Sequence, residues 1–323
     1  MKIGLLFNEA AGGNARFPLI AQALNEGLAG NQLYTCEGGF GADHLGSAKV
    51  FAIPACDYMG RIGHAVKSLV SADIKLLVSV GGDGFAANCA EVLISLSASL
   101  PILGVAGGSA NVGPLIGFDL GTLSRLDLDT CVERNVIALE CAMGKRIIGH
   151  AFNDVVIGDT FLGSLNGHLA NIGLESFLET GEKREQRPSR VITGPDFKVM
   201  KNGEIRHSHL RARQMIVASP LNNLDFYRGK AMLGALCLAP WVGRNAVLAI
   251  SDRSWVDTEA DPDGENFSTI EHLLFGPEDL VTIEGLADSG HIVIDGNPFL
   301  RDSEQLSLRS CPGAARALYP AVS

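Results

Sequence analysis

A carboxylate set among glycines directly behind an apolar run has few chemical uses. This sequence has one at Gly81-Gly82-Asp83-Gly84, which follows Lys75-Leu76-Leu77-Val78-Ser79-Val80. A buried strand ending in glycines lets the main chain bend sharply and brings its N–H groups to a ligand at distances a Cβ would forbid. A helix beginning near Ala86 would point its positive end at the same spot, which suits a phosphate. Asp83 beside a polyphosphate is unfavourable unless a cation or a proton intervenes, so it would help hold Mg²⁺ or accept the proton of an attacking hydroxyl. A plain strand-to-helix turn with Asp83 as the helix cap also accounts for the tetrapeptide.

A second turn of this kind, Ala106-Gly107-Gly108-Ser109-Ala110-Asn111, follows Pro101-Ile102-Leu103-Gly104-Val105. Ser109 and Asn111 offer a hydroxyl and an amide to phosphate or ribose, and equally read as an N-cap serine and a turn asparagine. A third, Asn8-Glu9-Ala10-Ala11-Gly12-Gly13-Asn14, follows Ile3–Phe7. Parallel strands that end in such turns place them at one edge of the sheet, where α/β folds bind ligands.

The elements that position these turns follow from periodicity. The order predicted is strand Ile3–Phe7, helix Pro18–Ala29, strand Val50–Pro54, helix Gly60–Val70, strand Lys75–Val80, helix Ala86–Ser97 and strand Pro101–Val105. That alternation predicts a parallel, Rossmann-like sheet with helices on both faces. After about residue 135 the texture changes to closely spaced strands: Val136–Cys141, Arg146–Phe152, Val155–Gly158, Ala246–Ser251, Asp279–Glu284 and His291–Ile294. A hairpin joins Phe197–Met200 to Ile205–Ser219, with Asn202-Gly203 supplying the positive-φ turn. This half reads as an all-β, sandwich-like domain. The expected division is 1–134, 135–300 and a tail, 301–323, that packs back on the first domain. Glu182–Arg190 and Asp257–Phe267 read as surface loops.

A net charge of −10 argues against broad nucleic-acid or anionic-membrane binding and leaves a small molecule as the expected partner. Seven cysteines, never spaced as C-x-x-C, read as reduced thiols of a cytoplasmic protein. Residues 92–118 carry no charge, but Pro101, Gly104, Gly107, Gly108 and Pro114 break the stretch, so no stable membrane insertion is expected. A homo-oligomer is compatible with all of this. His207 and His209 share a strand face without a third metal ligand. Lys198, Lys201, Arg206, Arg211 and Arg213 make the hairpin the most basic region, open to an anionic acceptor or simply solvated. Neither a Gly-x-Ser-x-Gly elbow nor a Walker A loop is present.

In order and spacing, Asn8 with Gly12-Gly13, then Gly81-Gly82-Asp83-Gly84, then Gly108-Ser109-Ala110-Asn111 resemble the superfamily of NAD kinases, diacylglycerol and sphingosine kinases and the AcoX-like proteins. Phe152-Asn153-Asp154-Val155-Val156 is similar to the Asn-Glu segment that contacts dinucleotide in NAD kinases. Asn153-Asp154 through Gly158-Asp159-Thr160 is closer still to the AcoX-like, ATP-NAD-kinase-type branch, and Ile292-Val293-Ile294-Asp295-Gly296 to the late Asp-Gly strand of lipid kinases. The resemblance implies an α/β nucleotide-binding domain joined to a β-rich domain with the active site in the cleft between. It implies a phosphotransferase acting on an alcohol group, with ATP and Mg²⁺ and with NAD or a related acceptor. Asn153 and Asp154 would orient that acceptor, and Asp159 or Asp295 would assist. The departures are Phe85 where the family has Thr, Glu9 where Pro is common, and Asn297 where lipid kinases carry a Glu base. A Thr-Gly-Ser-Thr-Ala-Tyr segment typical of NAD kinases is missing. These differences weaken a lipid-kinase reading and NAD as acceptor, and they make a nucleotide-binding regulator without turnover the main alternative.

Overall fold

In the computed structural model, the described residues are 1–9, 11, 13–108, 111, 113–166, 168–219, 242–255, 257–258 and 269–321. Gly12, Ser109, Cys237 and most of the expected 257–267 loop lie outside them. The short apolar runs of the first half form strands because their alternate residues find a helix on either side. In chain order they are β1 (Lys2–Phe7), α1 (Phe17–Gly27), β2 (Gln32–Cys36), β3 (Lys49–Phe51), α2 (Tyr58–Ser71), β4 (Leu76–Gly81), α3 (Asp83–Ser95), β5 (Pro101–Ala106), β6 (Ile116–Phe118) and α4 (Leu120–Leu123).

Strands β6-β5-β4-β1-β2-β3 pair in that order, each pair parallel. Ile3, Leu5, Phe7, Leu76, Val78, Val80, Leu103 and Val105 project to one face and bury against Ile20, Leu24 and Leu123 of α1 and α4. The other face meets α2: a Cβ on Gly4 would sit 2.9 Å from Leu69 Cδ1, and the Cys36 thiol reaches the Ala65 carbonyl at 3.9 Å. Pro18 falls in the first turn of α1, where a missing N–H costs nothing. α2 is capped by Asp57, whose carboxylate accepts from Gly60 N–H at 2.7 Å. The chain returns at its end: Arg316 and Ala317 pair in parallel with Pro101 and Ile102.

The second half continues with β7 (Val132–Met143), β8 (Arg146–Ala151), β9 (Asp154–Gly158), β10 (Thr160–Leu165), β11 (His168–Gly173), α5 (Leu174–Thr180), β12 (Thr193–Lys201), β13 (Glu204–Ser208), β14 (Gln214–Ala218), β15 (Ala246–Ser251), β16 (Ile270–Phe275), β17 (Val281–Leu286), β18 (His291–Ile294), β19 (Asn297–Phe299) and β20 (Gln305–Tyr319). Two compact units result. Among the described residues, one holds 1–137 and 312–321; the other holds 138–219 and 242–311.

In the second unit β16-β15-β14-β9-β18-β19 form an antiparallel sheet. Alternation assigns its residues to two cores. Val155, Ile157, Met215, Val217, Leu248 and Ile292 pack with Leu139, Phe197, Val199, Ile283 and Leu308 from β7, β12, β17 and β20, closing a sandwich. Val156, Ile216, Val247 and Val293 bury instead against Phe161, Ile172 and Leu174 of the β10–β11 hairpin and α5. No helix among the described residues is long and apolar enough to cross a membrane; residues 92–118 fall on the end of α3, β5 and β6.

One expected strand is split. Ile205–Ser219 does not return as a single element: β13 ends at Ser208, His209 takes a φ of 58°, and β14 starts at Gln214 in the other sheet. The Asn202-Gly203 turn itself is as read, with φ of 55° and 82°. The Glu182–Arg190 segment is largely exposed, and its end is held by Asp159.

Candidate functional site

Because β1, β4 and β5 are adjacent and parallel, the turns that follow them emerge at one edge. Asn8 N–H donates to Val80 O at 2.8 Å and Gly107 N–H to Gly81 O at 2.8 Å, so the three turns begin in register. Beyond that point they touch through glycine. A Cβ on Gly13 would lie 2.3 Å from Gly107 O, one on Gly108 would lie 2.5 Å from Gly82 Cα, and one on Gly107 3.2 Å from Gly81 N. Gly81 is hemmed by Phe85 and Asn8, at 3.0 and 3.2 Å from its would-be Cβ. The glycines are therefore needed for main chain to pack on main chain.

Asp83 opens α3, but the N-cap is Gly82 in extended conformation, with no side-chain cap. The Asp83 carboxylate instead accepts Gly113 N–H at 2.9 Å, tying the turn after β4 to the segment that follows the turn after β5. Gly84 follows in the first helical turn, where Phe85 N–H and Ala86 N–H donate to Gly82 O at 3.1 and 3.2 Å. Asn111 folds back on its own turn: its Oδ1 accepts Gly108 N–H at 3.0 Å and its Nδ2 donates to Gly108 O at 2.9 Å. It shapes the glycine turn with both ends of its amide.

A further turn was not expected at this edge. β2 is also parallel to β1, and behind it runs Gly38-Gly39-Phe40-Gly41, with φ of 74°, 86° and 105° at its three glycines. Glu9 joins it to the first turn: its N–H donates to Gly39 O and its Oε1 accepts Gly41 N–H, each at 3.3 Å. Three glycines within four residues were the available signal. Phe40 stacks on Phe85 at 6.3 Å with planes 19° apart, both rings buried. Phe85 is thus part of the floor beneath the turns.

In the second unit the structure brings together Asn153, Asp154 and Asp295. Asp295 and Gly296 form the two-residue turn between β18 and β19, with φ of 46° and 78°. The Asp295 carboxylate accepts three N–H groups: Phe152 at 2.7 Å, Asn153 at 2.8 Å and Asp154 at 3.1 Å. The Asn153 Oδ1 beside it is buried without a hydrogen-bond partner. Asp159 is elsewhere, at the far end of β9, roughly 16 Å along at the usual rise per residue. Its carboxylate accepts Ser189 and Arg190 N–H at 3.1 and 3.0 Å.

Burial pushes Asp295 up to about 7, helped by the Asp154 charge, against the three N–H groups that favour the anion. Its folded-state value is above that of an unfolded aspartate. Its contribution to stability is therefore fully present below about pH 4 and lost as pH rises through about 7. Asp295→Asn offers one acceptor oxygen to three donors and should cost about 2–4 kcal/mol. Urea titrations of both proteins between pH 4 and 8 would show the gap narrowing as pH rises; a constant gap would rule out this titration.

His207 is bound to Glu271 at 2.6 Å while His209 lies past the strand end, and among the described residues no three His, Cys, Asp or Glu are grouped to hold a metal. The basic hairpin is largely neutralised: Lys198 pairs with Glu284, Lys201 with Asp279 and Arg206 with Glu204, at 2.9, 2.8 and 2.6 Å.

No protein-family model and no curated protein matches the sequence. Solved structures do. The fold is similar to that of yeast NADH kinase complexed with NADH, at 14% identity and a TM-score of 0.56, over 100% of this chain and 84% of that one. It is similar also to a diacylglycerol kinase from Bacillus anthracis str. Sterne, at 14% identity and a TM-score of 0.53, over 100% and 98% of the two chains. The chain has the two-domain NAD kinase/diacylglycerol kinase-like fold.

Proposed function

We propose that the chain is a phosphotransferase that binds a nucleoside triphosphate, ATP in the first instance, at the glycine rim of its first unit and passes the terminal phosphoryl group to an alcohol. The observation that carries this reading is the contact of Gly13 on Gly107 and Gly108 on Gly82, glycine turns packed where no Cβ fits beside the positive end of α3, a setting that suits a polyphosphate. Asp83 is the acid of the site, placed to receive the acceptor's proton or to bind Mg²⁺. One carboxylate fits that ion's habits, since Mg²⁺ is ordinarily held by one or two carboxylates together with phosphate oxygens and water. When bound it would offset charge on the transferring group. The rim glycines and Asn8 form the cradle, and Asn111 keeps Gly108 in place.

For the acceptor we propose a pyridine dinucleotide or a related small alcohol, handled by Asn153 and Asp154 with Asp295 fixing their loop. Support comes from the orphaned Asn153 Oδ1, which needs a donor, and from the neighbour whose structure holds NADH. Asp159 is better suited to holding the loop at Ser189 than to binding substrate. We place the protein in the cytoplasm on its thiols and charge.

The test is ADP release from Mg-ATP with a panel of NAD, NADH, small polyols and diacylglycerol in detergent. Release that requires one acceptor supports the transferase and names its class; activity confined to the lipid arm would move the protein to the lipid kinases. A second reading, a nucleotide sensor without turnover, is favoured by the buried Phe85 ring in place of a hydroxyl. It predicts nucleotide binding with no acceptor-dependent release.

A further inference from the structure

Arg61 sits one turn into α2, its N–H donating to Asp57 O at 2.9 Å. Its guanidinium lies over the Phe40 ring, 5.3 Å from the centroid. Among the described residues it makes no ion pair and no side-chain hydrogen bond. A half-buried guanidinium ordinarily finds a carboxylate, so this one is a charge held ready at some cost.

Its surroundings aim it at the glycine edge. A Cβ on Gly38 would stand 3.0 Å from Arg61 Nη2 and one on Gly39 3.7 Å, so the bare turn after β2 makes room for the guanidinium. Glu9, in the first turn of the rim, faces the same Gly39 with Oε2 3.5 Å from that position, yet its other oxygen is engaged by Gly41 N–H and it forms no ion pair with Arg61. Contact with an aromatic face uses the flat side of the guanidinium and leaves the N–H fork at its edge, the side that recognises phosphate. Phe40 in turn rests on Phe85, the third residue of α3. Side chains thus link the first turn of α3 to a cation beside the glycine turns.

We infer that Arg61 is a phosphate-binding residue for the nucleoside triphosphate, and that Phe85 and Phe40 are the platform that positions it. The inference rests on the nucleotide reading above. Phe85 then gives up a hydroxyl contact and supplies, through Phe40, a charged one.

Equilibrium binding of adenosine, AMP, ADP and ATP, with Mg²⁺, to the full chain and to Arg61→Met and Arg61→Lys tests it, with thermal melting as the check on folding. Arg61→Met should bind ATP roughly tenfold to a hundredfold more weakly than the parent, while adenosine changes by no more than about threefold. Arg61→Lys should recover part of the ATP loss, because charge returns without the fork. Equal ATP affinity in parent and Arg61→Met overturns the assignment, as does an equal loss for adenosine and ATP. A parent protein that binds no nucleotide overturns the functional proposal itself, and that result is read without any variant.

Discussion

Asp83→Asn is expected to lower acceptor-dependent ADP release by roughly two to four orders of magnitude while changing nucleotide affinity by less than about tenfold. The asparagine keeps an Oδ1 where Gly113 N–H now donates at 2.9 Å, so the tie between the turn after β4 and the segment at Gly113 persists. What is lost is the negative charge and the ability to take a proton. Asp83→Ala removes the tie as well, leaves that N–H without its acceptor and should add about 1–3 kcal/mol of destabilisation. Comparing the two separates chemistry from architecture. If Asp83→Asn turns over like the parent and Asp83→Ala does not, Asp83 is a brace, and the transferase needs another base. Steady-state kinetics and urea titrations on both variants decide between these outcomes.

Much of the rim can be read from the sequence because β4 and β5 are apolar runs that run straight into glycine and β1 is one with Gly12 and Gly13 soon after it, and parallel pairing then dictates that their ends coincide. β2 escaped because Gln32, Leu33 and Tyr34 are not fully buried and the strand carries no clean alternation; with it went the turn at Gly38–Gly41 and the seat of Arg61. The start of α3 was read at Ala86 because glycines are poor helix formers, whereas Gly82 is extended and the helix begins at once on Asp83. The split after Ser208 depends on two sheets dividing one stretch of chain between them, which periodicity alone does not report. Asp295 is visible as the acid of an Asp-Gly turn, but its work is done on the N–H groups of Phe152, Asn153 and Asp154, more than 140 residues away in sequence. Local patterns specify turns; which loop a turn's carboxylate will hold is a tertiary fact.

The strongest demand the fold makes at the site is steric, so Gly108→Ala and Gly13→Ala should abolish nucleotide binding, weakening it by at least about a hundredfold. In both positions the added methyl would meet main chain: Gly82 Cα and N at 2.5 and 2.9 Å for Gly108, and Gly107 O at 2.3 Å for Gly13. No rotamer change relieves such a contact, so one turn must move away from the other, at a cost of about 1–3 kcal/mol in stability. A polyphosphate needs several donors at once, and separating two turns by the width of a methyl group breaks that convergence. Gly63→Ala is the matched control. It lies inside α2 with nothing within 4 Å of its would-be Cβ, and it should stabilise the protein by about 0.5–1 kcal/mol with nucleotide affinity unchanged. If Gly108→Ala and Gly13→Ala lose the stability but bind nucleotide as the parent does, the touching turns serve only the fold, and the ligand must be held somewhere else.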